Sequence, residues 1–136
     1  MVTIRLLILN SRNKLLLQKT EEGLQIPKVD CICIDNCYSL EDIVFLKLSS
    51  AYGITDIHPK DLHLYYFLNK INGGELFLDI VYKGYTRIRK FDSDDNHKFF
   101  ELREIKKVIN LFKDSLDEQI IRRFIVREDN PSLLCE

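Results

Sequence analysis

Apolar residues along this chain run in short blocks at strand spacing, interrupted and followed by stretches at helical spacing. Thr3 to Leu9 and Lys14 to Lys19 are β-leaning runs separated by the turn-forming tetrad Asn10-Ser11-Arg12-Asn13, which together predict a hairpin. Gly23 and Pro27 punctuate the chain before Val29 to Ile34, whose Val, Ile and Cys content suits a buried strand. The period then changes. Ser39 can cap the first amides of a helix, Asp42 sits where a capping-box acid reaches back, Ile43, Val44, Leu46, Leu48 and Ala51 follow at helical intervals, and Gly53 suits a left-handed terminator. A helix from Ser39 to Tyr52 is predicted.

Beyond His58-Pro59, His63 to Leu68 reads as a strand, and Asn72-Gly73-Gly74 supplies the positive-φ residues of a tight turn. Leu76 to Tyr82 and Tyr85 to Phe91 read as two further strands. Leu76, Leu78, Ile80 and Tyr82 share one face and Phe77, Asp79 and Val81 the other, as in a sheet covered on both sides. Asp92 to His97 is a polar loop. Phe100 to Lys113 carries Leu102, Ile105, Val108, Ile109 and Phe112 at amphipathic helical spacing. Ser115 with Glu118 forms a second capping-box pattern, opening a helix striped by Ile120, Ile121, Phe124 and Ile125. No repeat or linker divides the chain, so residues 1–129 are expected as one domain and 130–136 as a flexible tail.

Composition narrows the function classes. With 136 residues, 46% hydrophobic and 30% charged, the chain can bury a real core, and a formal net charge of -1 gives no global field for nucleic acid or an anionic membrane. No apolar run approaches the roughly 20 residues that span a bilayer, and Arg5 lies within a strand-like stretch rather than a leader, so a cytoplasmic location is expected. Cys31, Cys33, Cys37 and Cys135 lack zinc-ligand spacing and read as free thiols. His58, His63 and His97 stand in no nucleophile-base spacing.

The segment from Ser39 to Ile54, in this order of elements, resembles the Nudix hydrolase superfamily. The family motif reads Gly, five residues, Glu, seven residues, then Arg-Glu-hydrophobic-any-Glu-Glu-any-Gly-hydrophobic. With its last Gly on Gly53, the flanking hydrophobic positions fall on Leu48 and Ile54 without a gap, and Ser39 and Asp42 fall where members often carry a serine and an acid. Gly23-Leu24-Gln25-Ile26-Pro27 is similar to the segment before the motif, and Lys98-Phe99-Phe100-Glu101-Leu102 to the aromatic lead-in of the last helix. The resemblance implies an α/β fold, a Nudix-like α/β/α sandwich around a central mixed β-sheet.

Every charged position of the motif is replaced. Its first Glu is Tyr38, its Arg is Leu46, the adjoining Glu is Lys47 and its Glu-Glu pair is Ser50-Ala51; the leading Gly is Ile32, and Pro27 is followed by Lys28-Val29 instead of two glycines. Carboxylates at i, i+3 and i+4 share a helix face and together hold Mg²⁺ against a diphosphate. Here that face offers an ammonium, one hydroxyl and a methyl group.

The family catalytic positions are thus left without a catalytic residue, and Lys47, Ser50 and Tyr38 become candidate ligand-binding residues, the ammonium holding a phosphate in place of a metal. The reading preferred from sequence is a non-catalytic Nudix-like protein that binds a nucleotide-type ligand or a protein partner and needs no cofactor. One alternative is a divergent hydrolase of nucleoside diphosphate-linked compounds that uses Mg²⁺ with relocated acids, Asp94, Asp95 or Glu75; Asp92 and His97 adjoin these, and Asp30 and Asp35 are more scattered. A calcium loop opening at Asp92 fails, since His97 replaces its turn Gly and Arg103 its bidentate Glu. Another alternative is a structural module, with a homodimer open. Tyr65, Tyr66 and Phe67 can stack a base or fill the core, and Arg87, Arg89 and Lys90 can join Arg122, Arg123 and Arg127 in a basic patch or lie on separate solvated faces; the bland reading is preferred for both.

Overall fold

A computed structural model of the chain describes residues 2–31, 39–89 and 96–129. Its described strands form one mixed sheet. β1 (Val2–Asn10), β2 (Leu15–Thr20), β3 (Gly23–Gln25), β4 (Lys28–Cys31), β5 (His63–Asn72), β6 (Glu75–Thr86) and β7 (His97–Phe100) are joined in the order β3-β2-β1-β6-β5, with β4 also on β1 and β7 on β2. Among the described strand pairs only β1–β6 is parallel. The helices are α1 (Leu40–Tyr52), α2 (Leu102–Lys107) and α3 (Ser115–Asp129).

Alternation along β1 explains the sandwich. Ile4, Leu6 and Ile8 point to one face, where they pack with Val44, Leu48 and Tyr52 of α1 and with Ile80 and Tyr82 of β6. Leu7 and Leu9 point to the other, where Ile105, Phe112, Ile120, Ile121 and Phe124 cover them. A strand buried on both faces has to be apolar along most of its buried length, and β1 is from Ile4 to Leu9 apart from Arg5. No helix among the described residues is long and apolar enough to cross a membrane.

Local chemistry fixes α1 as the sequence predicts. The Ser39 hydroxyl accepts from Asp42 N–H at 3.1 Å, the Asp42 carboxylate accepts from Ser39 N–H at 3.4 Å, and Gly53 ends the helix at φ 65°. The hairpin at Asn10 is held by its own carboxamide, which accepts from Arg12 and Lys14 N–H at 3.0 Å each. Gly73 and Gly74, both at positive φ, turn β5 into β6.

Three predicted elements differ. Leu76 to Tyr82 and Tyr85 to Phe91 do not form two strands: β6 continues through Gly84, because β1 pairs with it from Val2↔Leu78 to Asn10↔Thr86. It ends where Asp56 accepts from Thr86 Oγ1 at 2.8 Å and Arg87 N–H at 2.7 Å. The predicted helix over Phe100 to Lys113 is shorter, since Phe100 pairs with Leu15 in the sheet and Val108 leaves the helical region at φ -117°, followed by a 3₁₀ turn at Ile109–Leu111. The cap of α3 is Asp114 rather than Ser115: its Oδ1 accepts from Leu116 N–H at 2.9 Å and Asp117 N–H at 3.4 Å.

Candidate functional site

The α1 positions singled out by sequence lie away from the core. Val44, Leu48 and Tyr52 form its buried row, Lys47 is half-buried, and Leu46, Ser50 and Ala51 are exposed. Lys47, Ser50 and Ala51 share one side of the helix at i, i+3 and i+4. That donor set does not fit a divalent cation, which an ammonium repels and a methyl group cannot ligate. Glu41, on the first turn, accepts from the Tyr82 hydroxyl at 3.1 Å. Burial, reinforced by the Glu41 charge, pushes the Tyr82 phenol up to about 12, so it stays a donor.

Of the acids offered as replacements, only Glu75 and Asp30 fall within the described residues. Glu75 opens β6 at the β5–β6 hairpin, and Asp30 is exposed and accepts from the Thr3 hydroxyl at 2.9 Å. Asp35, Asp92, Asp94, Asp95, Tyr38, Lys90 and the cysteines at 33, 37 and 135 lie outside the described residues, as does the tail 130–136. His97 stands edge-on to Tyr52 with ring centroids 4.7 Å apart, joining β7 to the end of α1. Among the described residues no group of three or more His, Cys, Asp or Glu side chains is arranged to hold a metal.

The aromatic run serves the core. A bulge between Leu64 and Tyr66 breaks strict alternation. Tyr65 lies 6.0 Å from Phe124 and Tyr66 packs against the same core, while Phe67 is exposed. Arg123 and Arg127 are stacked over Tyr66 and Tyr65 at 4.8 and 5.1 Å.

On the α3 side the structure assembles a charged cluster that the sequence reading did not find. Arg5 projects from β1 into the core, 4% exposed, with Nε 2.6 Å from Asp117, Nη1 2.5 Å from Asp79 and Nη2 3.0 Å from Asp114. Lys28 Nζ lies 3.1 Å from both Asp114 and Asp117. Asp117, fully buried, also accepts from Ile26 N–H at 3.1 Å. Burial opposes the Arg5 charge, but hydrogen bonds to Asp117 and Asp79 outweigh it and raise the guanidinium pKa further. A lone Arg in the apolar run from Ile4 to Leu9, with a lone Asp in the apolar run from Leu76 to Tyr82, was the available signal.

Asp114 and Lys28 are the members of this cluster that solvent reaches. Burial favours the neutral acid at Asp114, yet Lys28, Arg5 and the Leu116 N–H together hold its pKa down to about 2. The folded value lies below the ordinary carboxylate value of about 3.9, so the resulting stability is complete above about pH 4 and is lost as pH falls through about 2. Solvent screening limits it to about 1 kcal/mol. Urea unfolding at about pH 5 and about pH 2.5 should therefore show Asp114→Asn losing less stability with acid than the unaltered chain.

Outside Asp114 and Lys28 opens a cavity of about 330 Å³, lined also by Thr20, Glu22, Leu24, Gln25 and Lys113. A second, about 320 Å³, shares Thr20 and Leu24 with it and is walled by Lys19, Gly23, Phe100, Val108 and Leu111. The first lobe presents two ammoniums and two carboxylates, and the second is apolar apart from Lys19 and Thr20. Gly23 is required at their junction: at φ +133°, a Cβ there would lie 2.2 Å from the Leu111 carbonyl oxygen. A concave site with an apolar wall and a few converging polar groups is the usual form of a small-molecule site.

This arrangement of sheet and helices is the Nudix fold. The NUDIX domain of Shewanella oneidensis NrtR, in complex with ADP ribose, superposes with a TM-score of 0.62 at 15% identity over 95% of this chain and 87% of that one. A NUDIX hydrolase from Nitrosomonas europaea gives 0.63 at 18% identity, covering 90% and 86%. The dihydroneopterin triphosphate pyrophosphohydrolase of E. coli gives 0.63 at 10% identity, covering 93% and 95%. No protein-family model and no curated protein matches the sequence.

Proposed function

We propose that this chain is a Nudix-fold protein that binds a nucleotide-type ligand without hydrolysing it, through the double-lobed cavity at the start of α3. The observation that carries this reading is the side of α1 bearing Lys47, Ser50 and Ala51, where the motif it resembles has three carboxylates. Without them the fold keeps its shape and loses the means to hold Mg²⁺ against a diphosphate. A neighbour of the same fold that holds ADP ribose supports the ligand class. The cavity supports the mode of binding: Leu24, Phe100 and Leu111 offer an apolar wall to a ring, and Lys113 and Lys28 offer cations to an anionic group.

Titration calorimetry of the full chain with ADP-ribose, a nucleoside triphosphate and a dinucleoside polyphosphate tests this. Saturable binding of at least one of them, undiminished when EDTA replaces Mg²⁺, is expected. Lys113→Glu should weaken it about tenfold or more. A loss produced instead by Lys47→Glu, with Lys113→Glu silent, would move the ligand to α1. Absence of binding to all three would contradict the proposal.

A further inference from the structure

β5 is the last strand of the sheet, and among the described residues nothing pairs with its outer edge. Such an edge presents a row of backbone N–H and C=O groups able to accept another strand. Pairing with β6 sorts its side chains into two rows. Phe67 stands opposite Ile80 and Ile71 opposite Leu76 on the α1 side, while Tyr66 stands opposite Val81 and Leu68 opposite Asp79 on the α3 side. The α1-side row is open to solvent: Phe67 is 52% exposed, Ile71 76% and the neighbouring Leu76 56%. Edges that remain single are broken by charges, proline or bulges. Here the bulge falls between Leu64 and Tyr66, leaving residues 66–72 regular with Lys70 as their one charged side chain.

We propose that β5 pairs antiparallel with β5 of a second copy about a two-fold axis through Asn69. In this register Phe67 faces the second copy's Ile71 on the α1 side, twice by symmetry, with Leu76 extending each apolar pair. Asn69 meets its own copy, and a carboxamide, being both donor and acceptor, is self-complementary where a charged side chain would repel. Lys70 faces Leu68 rather than another Lys. Asn72 faces the second copy's Tyr66, whose ring lies under Arg123 at 4.8 Å. A shift of one residue would set Phe67 against the wrong row. Apolar Phe67 and Ile71 stand at equal distances on either side of Asn69 and no like charges are opposed, which argues for a copy of this strand over an unrelated partner.

Sedimentation velocity of the full chain over a range of concentrations tests this, with Phe67→Glu and Ile71→Lys as variants. The expected result is a reversible dimer whose dissociation constant rises about tenfold or more in each variant, with no change in the circular dichroism spectrum. Asn69→Cys, mildly oxidised, should give a covalent dimer joined at position 69, located by peptide mapping against the four native cysteines. A chain that stays monomeric, a dimer unmoved by both variants, or a dimer that never crosslinks at 69 would overturn the proposal.

Discussion

Asp117→Ala is expected to lower stability by about 3–5 kcal/mol and the thermal midpoint by roughly 10–18 °C. Asp117 is fully buried, bonds Arg5 Nε at 2.6 Å and accepts the Ile26 amide, so its loss leaves a buried guanidinium short of one partner and a buried N–H with none. Arg5→Met should cost a similar amount, by leaving the buried Asp79 without its cationic partner and Asp114 and Asp117 with Lys28 alone. The double variant Arg5→Met/Asp117→Leu should recover part of the loss, because Arg5 and Asp117 no longer strand each other, while the buried Asp79 still lacks its partner. Thermal and urea unfolding of the four proteins check this. Single changes that cost under about 1 kcal/mol would mean that water reaches Arg5 in solution.

Gly23→Ala is expected to cost about 2–4 kcal/mol, roughly 7–14 °C in midpoint. The atom it meets is a backbone oxygen, fixed in the turn where Leu111 N–H donates to Val108 and Phe112 N–H to Ile109, beside the bridge from Leu24 to Phe112. Relief requires β3 to part from that turn, which alters both lobes of the cavity at once, so ligand affinity should fall with stability. Gly73→Ala is the control: its Cβ meets nothing, and only the left-handed backbone at φ +62° costs about 1–2 kcal/mol. Equal losses in the two variants would contradict the role given to the Leu111 contact.

These two sites also mark where the sequence stops being legible. α1 could be read because its instructions are local: Ser39, Asp42 and Gly53 act within one turn of themselves. The Asn72-Gly73-Gly74 hairpin and the Ile120, Ile121, Phe124 stripe are legible for the same reason. Arg5 finds its acids 74, 109 and 112 residues along the chain, a distance at which periodicity carries no information. The Ser115 and Glu118 pattern points to Ser115 as the cap, whereas Asp114 caps α3 on one oxygen while holding the distant Lys28 and Arg5 on the other. The pattern breaks at Gly84 although β6 does not, because the strand that carries it through, β1, is far away in sequence.

The candidate site was legible in part. Lys47, Ser50 and Ala51 lie together on one side of α1 as helical spacing requires, and their chemistry follows from their identity. The cavity could not be read, since Thr20, Gln25 and Lys28 of β2, β3 and β4 meet Lys113 only through the packing of β3 against the 3₁₀ turn and α3.

Phosphorus NMR of ADP-ribose with the purified protein and Mg²⁺ tests the central claim most directly. The account predicts a bound, broadened pyrophosphate signal that persists, with no AMP or ribose 5-phosphate accumulating. Both products appearing in proportion to protein, and stopping on addition of EDTA, would contradict it.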